Sequence, residues 1–78
     1  MPACPTAFIA QRNGNEVKLT WSGPSGCTFN AERGDGGWAA NNISGLTVTD
    51  PNSPANSTYE CVAVQGGVDS NPSHAGPV

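Results

Sequence analysis

The segment Glu16–Ser22, EVKLTWS, alternates polar and apolar residues with a period of two. Because successive side chains of a β-strand point to opposite faces, Val17, Leu19 and Trp21 share one face and the polar residues share the other. The segment therefore predicts a half-buried β-strand whose core side carries Trp21. It is the clearest strand in the chain.

The rest of the chain repeats this pattern in short segments that are separated by turn sequences. Asn13-Gly14 is a hairpin signal, since both residues tolerate positive φ, and Gly66-Gly67 predicts a second turn. Two prolines in the tail lack the donor that a sheet ladder needs, so the tail predicts a short or irregular edge strand. The predicted strands are 6–10, 16–22, 27–33, 38–43, 46–49, 59–64 and part of 70–78. Strands of this number and spacing predict an all-β fold, either a sandwich or a small barrel.

Composition restricts the classes of function. The 78 residues allow a single domain, 1–78, and a net charge of −3 with only three basic residues argues against binding nucleic acid or anionic lipid. No apolar run approaches the roughly 20 residues that span a membrane. The one histidine, His74, has no cysteine or second histidine near it in sequence. We therefore expect no catalytic site, no metal and no cofactor, and a protein that is not an enzyme.

Four segments, in order, resemble the strands of fibronectin type III domains. Residues 59–73, YECVAVQGGVDSNPS, resemble the F strand, the FG turn and the start of strand G in bacterial and phage members. Residues 14–21, GNEVKLTW, resemble the A and B strands, and residues 29–33, FNAER, resemble strand C. Residues 48–50, VTD, are followed nine positions after Asp50 by Tyr59 and resemble the E strand and the tyrosine corner.

This resemblance covers nearly the whole chain and implies a small immunoglobulin-like β-sandwich of six to seven short antiparallel strands with fibronectin type III topology. In such a fold the Tyr59 hydroxyl hydrogen-bonds back toward the preceding loop. Ser53 stands where the family favours an apolar residue and is expected to weaken the core locally, whereas Asn56 tolerates a left-handed backbone. The core residues that the resemblance and the alternation imply are Trp21, Tyr59, Leu19, Val17, Phe29, Val48, Cys61 and Ala63.

The implied fold also suggests roles for the three cysteines. Cys4 would lie at the start of strand A and Cys27 just after the B–C loop, at the same end of the sandwich, so a Cys4–Cys27 disulfide is expected unless the protein stays in a reducing cytosol. Cys61 would face inward opposite an apolar position of strand B. We expect it to be a buried free thiol.

Two further features allow more than one interpretation. Trp38 follows Gly36-Gly37 at a turn and either caps the core or is an exposed anchor for a partner, which makes it the candidate contact residue. The tripeptide Arg33-Gly34-Asp35 is the integrin-recognition sequence. A tight turn requires the same residue types, and the turn is the expected interpretation.

Two functional hypotheses follow for a non-catalytic structural or binding module. The first is a phage virion accessory protein, made in the host cytoplasm, that decorates or cements the virion surface by docking on a capsid or tail subunit. The starting Met and the lack of a signal peptide favour it. The second is a spacer or carbohydrate-adjacent module of a secreted bacterial polysaccharide hydrolase or adhesin. Sugar binding would need exposed aromatic residues, and only Trp38 is a candidate.

Overall fold

The computed structural model describes residues 2–78, and this range is all-β. The strands are β1 Thr6–Asn13, β2 Glu16–Ser22, β3 Thr28–Arg33, β4 Ala39–Ile43, β5 Thr47–Asp50, β6 Tyr59–Gln65, β7 Val68–Asp69 and β8 Ser73–Ala75. No helix with the length and hydropathy of a membrane span occurs between residues 2 and 78.

The strands form two antiparallel sheets that pack as a sandwich. One sheet has the order β1-β2-β5, and the other has the order β4-β3-β6-β7, with β8 also pairing with β6. This architecture confirms the predicted all-β sandwich and excludes the small barrel. The strand count exceeds six to seven because the chain after Gly67 forms two short strands, β7 and β8, which are separated by a segment containing Pro72.

The β1–β2 hairpin closes through a two-residue turn, Gly14-Asn15. Asn13 pairs with Glu16, and Gly14 has a φ of 67°, whereas Asn15 is not in the positive-φ region. Positive φ at only the first central residue defines a type II′ turn, for which glycine is required. The hairpin that the Asn-Gly sequence predicted is present, with Gly14 rather than Asn13 at the critical position.

The core lies between the sheets and is centred on three aromatic rings. Val17, Leu19, Cys61 and Ala63 are completely buried, and Trp21, Phe29, Ala31 and Tyr59 are at most 4% exposed. The ring centroids of Trp21 and Phe29 lie 5.6 Å apart, and Phe8 meets Trp21 edge-on at 6.2 Å. Val48, which was expected in the core, is only partly buried because β5 lies at the edge of its sheet.

Two edge strands carry bulges at residues with left-handed backbone. In β1 the register with β2 shifts between Thr6 and Ile9, where Ala7 has a φ of 51°. In β4 the register with β3 shifts near Asn42, which has a φ of 58° and whose N–H donates to the Asn30 side chain at 2.9 Å. Bulges twist an edge away from regular pairing with a further strand.

Replacement of Gly23 tests how tightly the core is packed beneath the β2–β3 loop. A Cβ at Gly23 would lie 2.6 Å from Cε1 of the Phe29 ring, which is buried and packed against Trp21. We expect Gly23→Ala to lower the free energy of unfolding by about 1–3 kcal/mol, measured by urea denaturation followed by tryptophan fluorescence.

Gly45→Ala is the matched control. A Cβ at Gly45 meets no atom within 4 Å, and the residue does not have positive φ. We expect its free energy of unfolding to stay within about 1 kcal/mol of wild type. Equal destabilisation by the two substitutions would contradict the packing of Phe29 against Gly23.

Candidate docking surface

The alternating direction of the strands gathers the connections at two ends of the sandwich. The β2–β3 loop, the β4–β5 loop and the β6–β7 turn, residues 23–27, 44–46 and 66–67, lie at one end. The β1–β2 turn, the β3–β4 turn and the β5–β6 loop lie at the other. We call the first the uncharged end, since residues 23–27, 44–46 and 66–67 contain no charged side chain, and the second the network end.

The network end is built around the carboxylate of Asp50, which is 1% exposed. Its Oδ2 accepts hydrogen bonds from the Tyr59 hydroxyl at 2.7 Å and from Arg33 Nη1 at 2.9 Å. Its Oδ1 accepts the backbone N–H of Asn52 at 3.2 Å. Asp50 ends β5, Tyr59 begins β6 and Arg33 ends β3, so these bonds join the two sheets.

Each hydrogen bond in this network has a defined donor and acceptor. Tyr59 Oη lies 2.6 Å from Ser53 Oγ and 2.7 Å from the Asp50 carboxylate. Because an ionised carboxylate only accepts, the single phenol proton goes to Asp50, and the Ser53 hydroxyl donates to Tyr59. Ser53 Oγ in turn accepts from Arg12 Nη2 at 3.1 Å. The expectation that Ser53 weakens the core is wrong, since its buried hydroxyl is hydrogen-bonded on both sides.

Tyr59 keeps its proton in this environment. Burial is the main cause that raises the pKa of the phenol, since it disfavours the charged phenolate, and the bond to Asp50 raises it further. The hydrogen bond from Ser53 acts in the opposite direction. Tyr59 therefore has the structural role of a tyrosine corner, with side-chain oxygens of Asp50 and Ser53 as its partners.

Arg12 secures the β5–β6 loop and the last residue to β1. Its guanidinium donates to the backbone oxygens of Ser53 at 2.9 Å, Pro54 at 2.6 Å and Val78 at 3.0 Å. Ser57 and Val78 also exchange two backbone hydrogen bonds, of 3.1 and 3.0 Å. These contacts close the network end over the core.

The Arg33-Gly34-Asp35 tripeptide forms an exposed turn in which only the Arg33 side chain is buried. Arg33 is 8% exposed, and its Nε donates to Asp35 Oδ1 at 2.8 Å. The same carboxylate accepts the Gly37 N–H at 2.8 Å. The ion pair with Arg33 is the main cause that lowers the pKa of Asp35, and the Gly37 bond adds to it. The Arg33 guanidinium is thus already paired with Asp35 and Asp50, which agrees with the interpretation of the tripeptide as a turn.

Trp38 covers the network from outside. It is partly buried, and its ring meets that of Tyr59 edge-on with centroids 6.0 Å apart. This placement favours the capping role over the exposed anchor that was the alternative from the sequence. A partner that approached Trp38 would meet a ring already packed against Tyr59.

The three cysteines lie in different environments. Cys4, Cys27 and Cys61 are unbridged in the structure, and the Cys4–Cys27 disulfide expected from the resemblance stays a prediction. Cys4 is exposed ahead of β1, whereas Cys27 packs against the core, so the two side chains have different surroundings. Cys61 is completely buried, and this burial raises the pKa of its thiol to about 12.

The uncharged end carries two exposed aliphatic side chains. Leu46, the last residue of the β4–β5 loop, and Val68, which follows the β6–β7 turn, are each 49% exposed. A Cβ on Gly26 would lie 3.8 Å from the Gln65 side chain, so the β2–β3 loop adjoins the end of β6. Sequence reasoning missed Leu46 and Val68 as surface residues. The sequence signal that could have indicated this surface was the absence of charged residues from all three connections.

Similarity to a solved structure decides the family. A Fn3-like protein from Clostridium thermocellum has 30% sequence identity to the chain and a TM-score of 0.78, over 96% of this chain and 90% of that one. The chain belongs to the fibronectin type III-like family. No family model matches the sequence, and no curated protein is significantly similar to it.

Two further structures share the fibronectin type III-like fold at lower identity. One, described as FN3tt mut, is 22% identical with a TM-score of 0.78 and covers 96% of this chain and 92% of its own. A myokine structure is 13% identical with a TM-score of 0.67 and covers 100% of this chain and 94% of its own. The fibronectin type III-like fold is typical of non-catalytic modules, whose function depends on their surfaces. Between residues 2 and 78 no group of three His, Cys, Asp or Glu side chains is placed to hold a metal ion.

Thiol titration tests the state of the cysteines. In the folded protein at pH 8 we expect one thiol, Cys4, to react rapidly with a disulfide reagent, because only it is exposed. Cys61 should stay unreactive, since its pKa of about 12 leaves almost no thiolate. Under denaturing but non-reducing conditions all three thiols should react. A single reactive thiol under those conditions would instead establish the Cys4–Cys27 disulfide.

Proposed function

We propose that this fibronectin type III-like chain is a non-catalytic docking module that binds another protein subunit through its uncharged end. Our proposal for the subunit is a capsid or tail protein, on which the chain acts as decoration or cement at the virion surface. The observation that carries the docking proposal is that three charge-free connections share one end of the sandwich, where Leu46 and Val68 are exposed.

Such a surface has the properties of an interface core. The centres of protein interfaces are depleted of charged residues, because a buried charge needs a partner that compensates its desolvation. Leu46 and Val68 offer apolar area that a partner can remove from water. The glycines of the same connections allow the partner's backbone to approach closely.

The opposite end is less suited to docking. Its charged and polar groups are already bonded to one another, as Arg33 is to Asp50 and Arg12 is to Ser53. The β1 and β4 edges carry bulges, which disfavour the addition of a partner strand there. Loop-end docking is therefore favoured over docking through either of these edges.

A second setting is a spacer module in a secreted bacterial hydrolase or adhesin. The Fn3-like relative comes from a bacterium, Clostridium thermocellum, which agrees with a bacterial protein as the setting. In that setting the uncharged end would contact a neighbouring domain of the same polypeptide. Direct sugar binding is less supported, since Trp38, the candidate aromatic platform, is packed against Tyr59.

The virion proposal is tested with purified particles of the phage whose genome encodes the chain. We expect the chain to co-sediment with intact particles, and Val68→Asp to weaken this binding by at least about tenfold, since it places a charge in the apolar surface. Ile9→Asp is the matched control. Ile9 is another exposed aliphatic residue, 58% exposed, but lies on the outer face of β1. We expect Ile9→Asp to bind within about twofold of wild type.

The possible outcomes test the virion proposal and the docking surface separately. Failure of the wild-type chain to co-sediment would contradict the virion proposal, and a reading frame that continues into a secreted enzyme or adhesin would support the second setting. Binding that is lost in Ile9→Asp but kept in Val68→Asp would contradict docking through the uncharged end.

A further inference from the structure

The open edges of the two sheets are not equally protected against pairing with another strand. The β1 and β4 edges are bulged, at Ala7 and near Asn42. The β7–β8 edge is interrupted by a segment that includes Pro72, and Ser73 of β8 hydrogen-bonds the backbone oxygen of Pro5 ahead of β1. Bulges, interruptions, coverage and short length are among the devices by which proteins prevent edge pairing. The four-residue strand β5 is short, but within residues 2–78 its edge has no bulge, interruption or covering strand.

The β5 edge is regular, uncharged and free of proline from Thr47 to Thr49. Its register with β2 is unbroken, running from Val17↔Asp50 to Thr20↔Thr47. The side chains beside the open edge are Thr47, Val48 and Thr49, which are all β-branched and strongly favoured in strands. A partner strand would therefore meet an edge that is already in pairing geometry.

The direction of the backbone groups in β5 follows from one hydrogen bond. The Trp21 N–H donates to the Leu46 oxygen at 3.1 Å, so the backbone groups of Leu46 and, by alternation, of Val48 point toward β2. The N–H and C=O groups of Thr47 and Thr49 consequently point away from β2. Within residues 2–78 no backbone hydrogen bond to β5 comes from the side opposite β2.

We propose that the β5 edge pairs with the β5 edge of a second copy of this chain. The sequence Thr47-Val48-Thr49 is palindromic, so a two-fold antiparallel arrangement places Val48 opposite Val48 and Thr47 opposite Thr49. Each of these threonines then donates its free N–H to, and accepts from, its counterpart. Thr–Thr and β-branched cross-strand pairs are favourable. A second copy satisfies this pattern without any other sequence being required.

The pairing is short, which determines how it should be measured. Pro51 follows β5 and lacks a donor, and Gly45 precedes Leu46 at the other side, so the paired segment cannot extend far. A contact of this size belongs to the weak class of interfaces. We expect reversible dimers at chain concentrations on the order of 0.1–1 mM.

The experiment is a dilution series of the ¹⁵N-labelled chain from about 1 mM to 20 µM, followed by amide NMR spectra and sedimentation equilibrium. We expect a concentration-dependent dimer and amide shifts on dilution that are concentrated at Thr47, Val48 and Thr49. A chain that is monomeric throughout would overturn the proposal. So would a dimer whose shifts fall at Val68 or in β1.

Two substitutions of Thr49 distinguish the loss of edge pairing from a general effect of substitution at this position. Thr49→Pro removes the outward N–H without removing a bond to β2, and we expect it to weaken the dimer by at least about tenfold. Thr49→Val keeps the N–H and the β-branched shape, and we expect it to dimerise within about threefold of wild type. Equal dimerisation by Thr49→Pro and wild type would overturn the proposal.

The dilution series on the wild-type chain decides the question even if Thr49→Pro does not fold. The proposal is also separable from docking at the uncharged end, since Val68→Asp should leave the β5 dimer intact. Loss of the dimer in Val68→Asp, with β5 unaffected by dilution, would assign self-association to the uncharged end instead and overturn β5 pairing.

Discussion

The carboxylate of Asp50 lies almost completely out of water, between the end of β5 and the start of β6. A charge in that position is tolerated only when donors replace the lost water, and here Arg33, Tyr59 and the Asn52 N–H do so. Arg33 and Tyr59 belong to the sheet opposite that of Asp50, and Asn52 lies in the loop between β5 and β6. The fold of the network end therefore depends on one buried anion and on its satisfied hydrogen bonds.

The two ends of the sandwich differ, since side-chain hydrogen bonds close the network end and, within residues 2–78, the uncharged end has no such network. At the network end, side chains of three strands and a loop restrain one another, and Arg12 adds bonds to the loop and to Val78. At the uncharged end the connections are rich in glycine and carry exposed Leu46 and Val68. Hydrogen bonds at the network end stabilise the sandwich, while the loops of the uncharged end form a neutral exposed surface. This arrangement agrees with the docking role that we propose.

The sequence was sufficient to predict the architecture because alternation is a direct consequence of strand geometry. The pattern from Val17 to Trp21 predicted the buried face of β2 correctly, and the apolar positions of residues 59–64 predicted that of β6. Bulges were not predictable, because Ala7 and Asn42 adopt positive φ for reasons that depend on pairing with neighbouring strands. Edge position likewise explains why Val48 is only partly buried.

The polar residues were harder to predict than the apolar ones. Arg33 and Asp50 are charged, and charged residues in strands and turns are usually exposed, so the sequence did not indicate that both are buried. Ser53 was interpreted as a defect because its partners, Tyr59 and Arg12, come from distant parts of the chain. The Cys4–Cys27 disulfide stays a prediction, because shared position at one end of a sandwich does not fix the direction of two side chains.

The free energy of unfolding of Tyr59→Phe, measured by urea denaturation, tests the buried network most directly, because the substitution removes one hydroxyl and keeps the ring against Trp38. A hydrogen bond to a charged group predicts a loss of about 1.5–3 kcal/mol. Asp35→Asn, which alters the half-exposed partner of Arg33, should leave the unfolding midpoint close to that of wild type. Unchanged stability of Tyr59→Phe, or a larger effect of Asp35→Asn, would contradict the dependence of the fold on the Asp50 site.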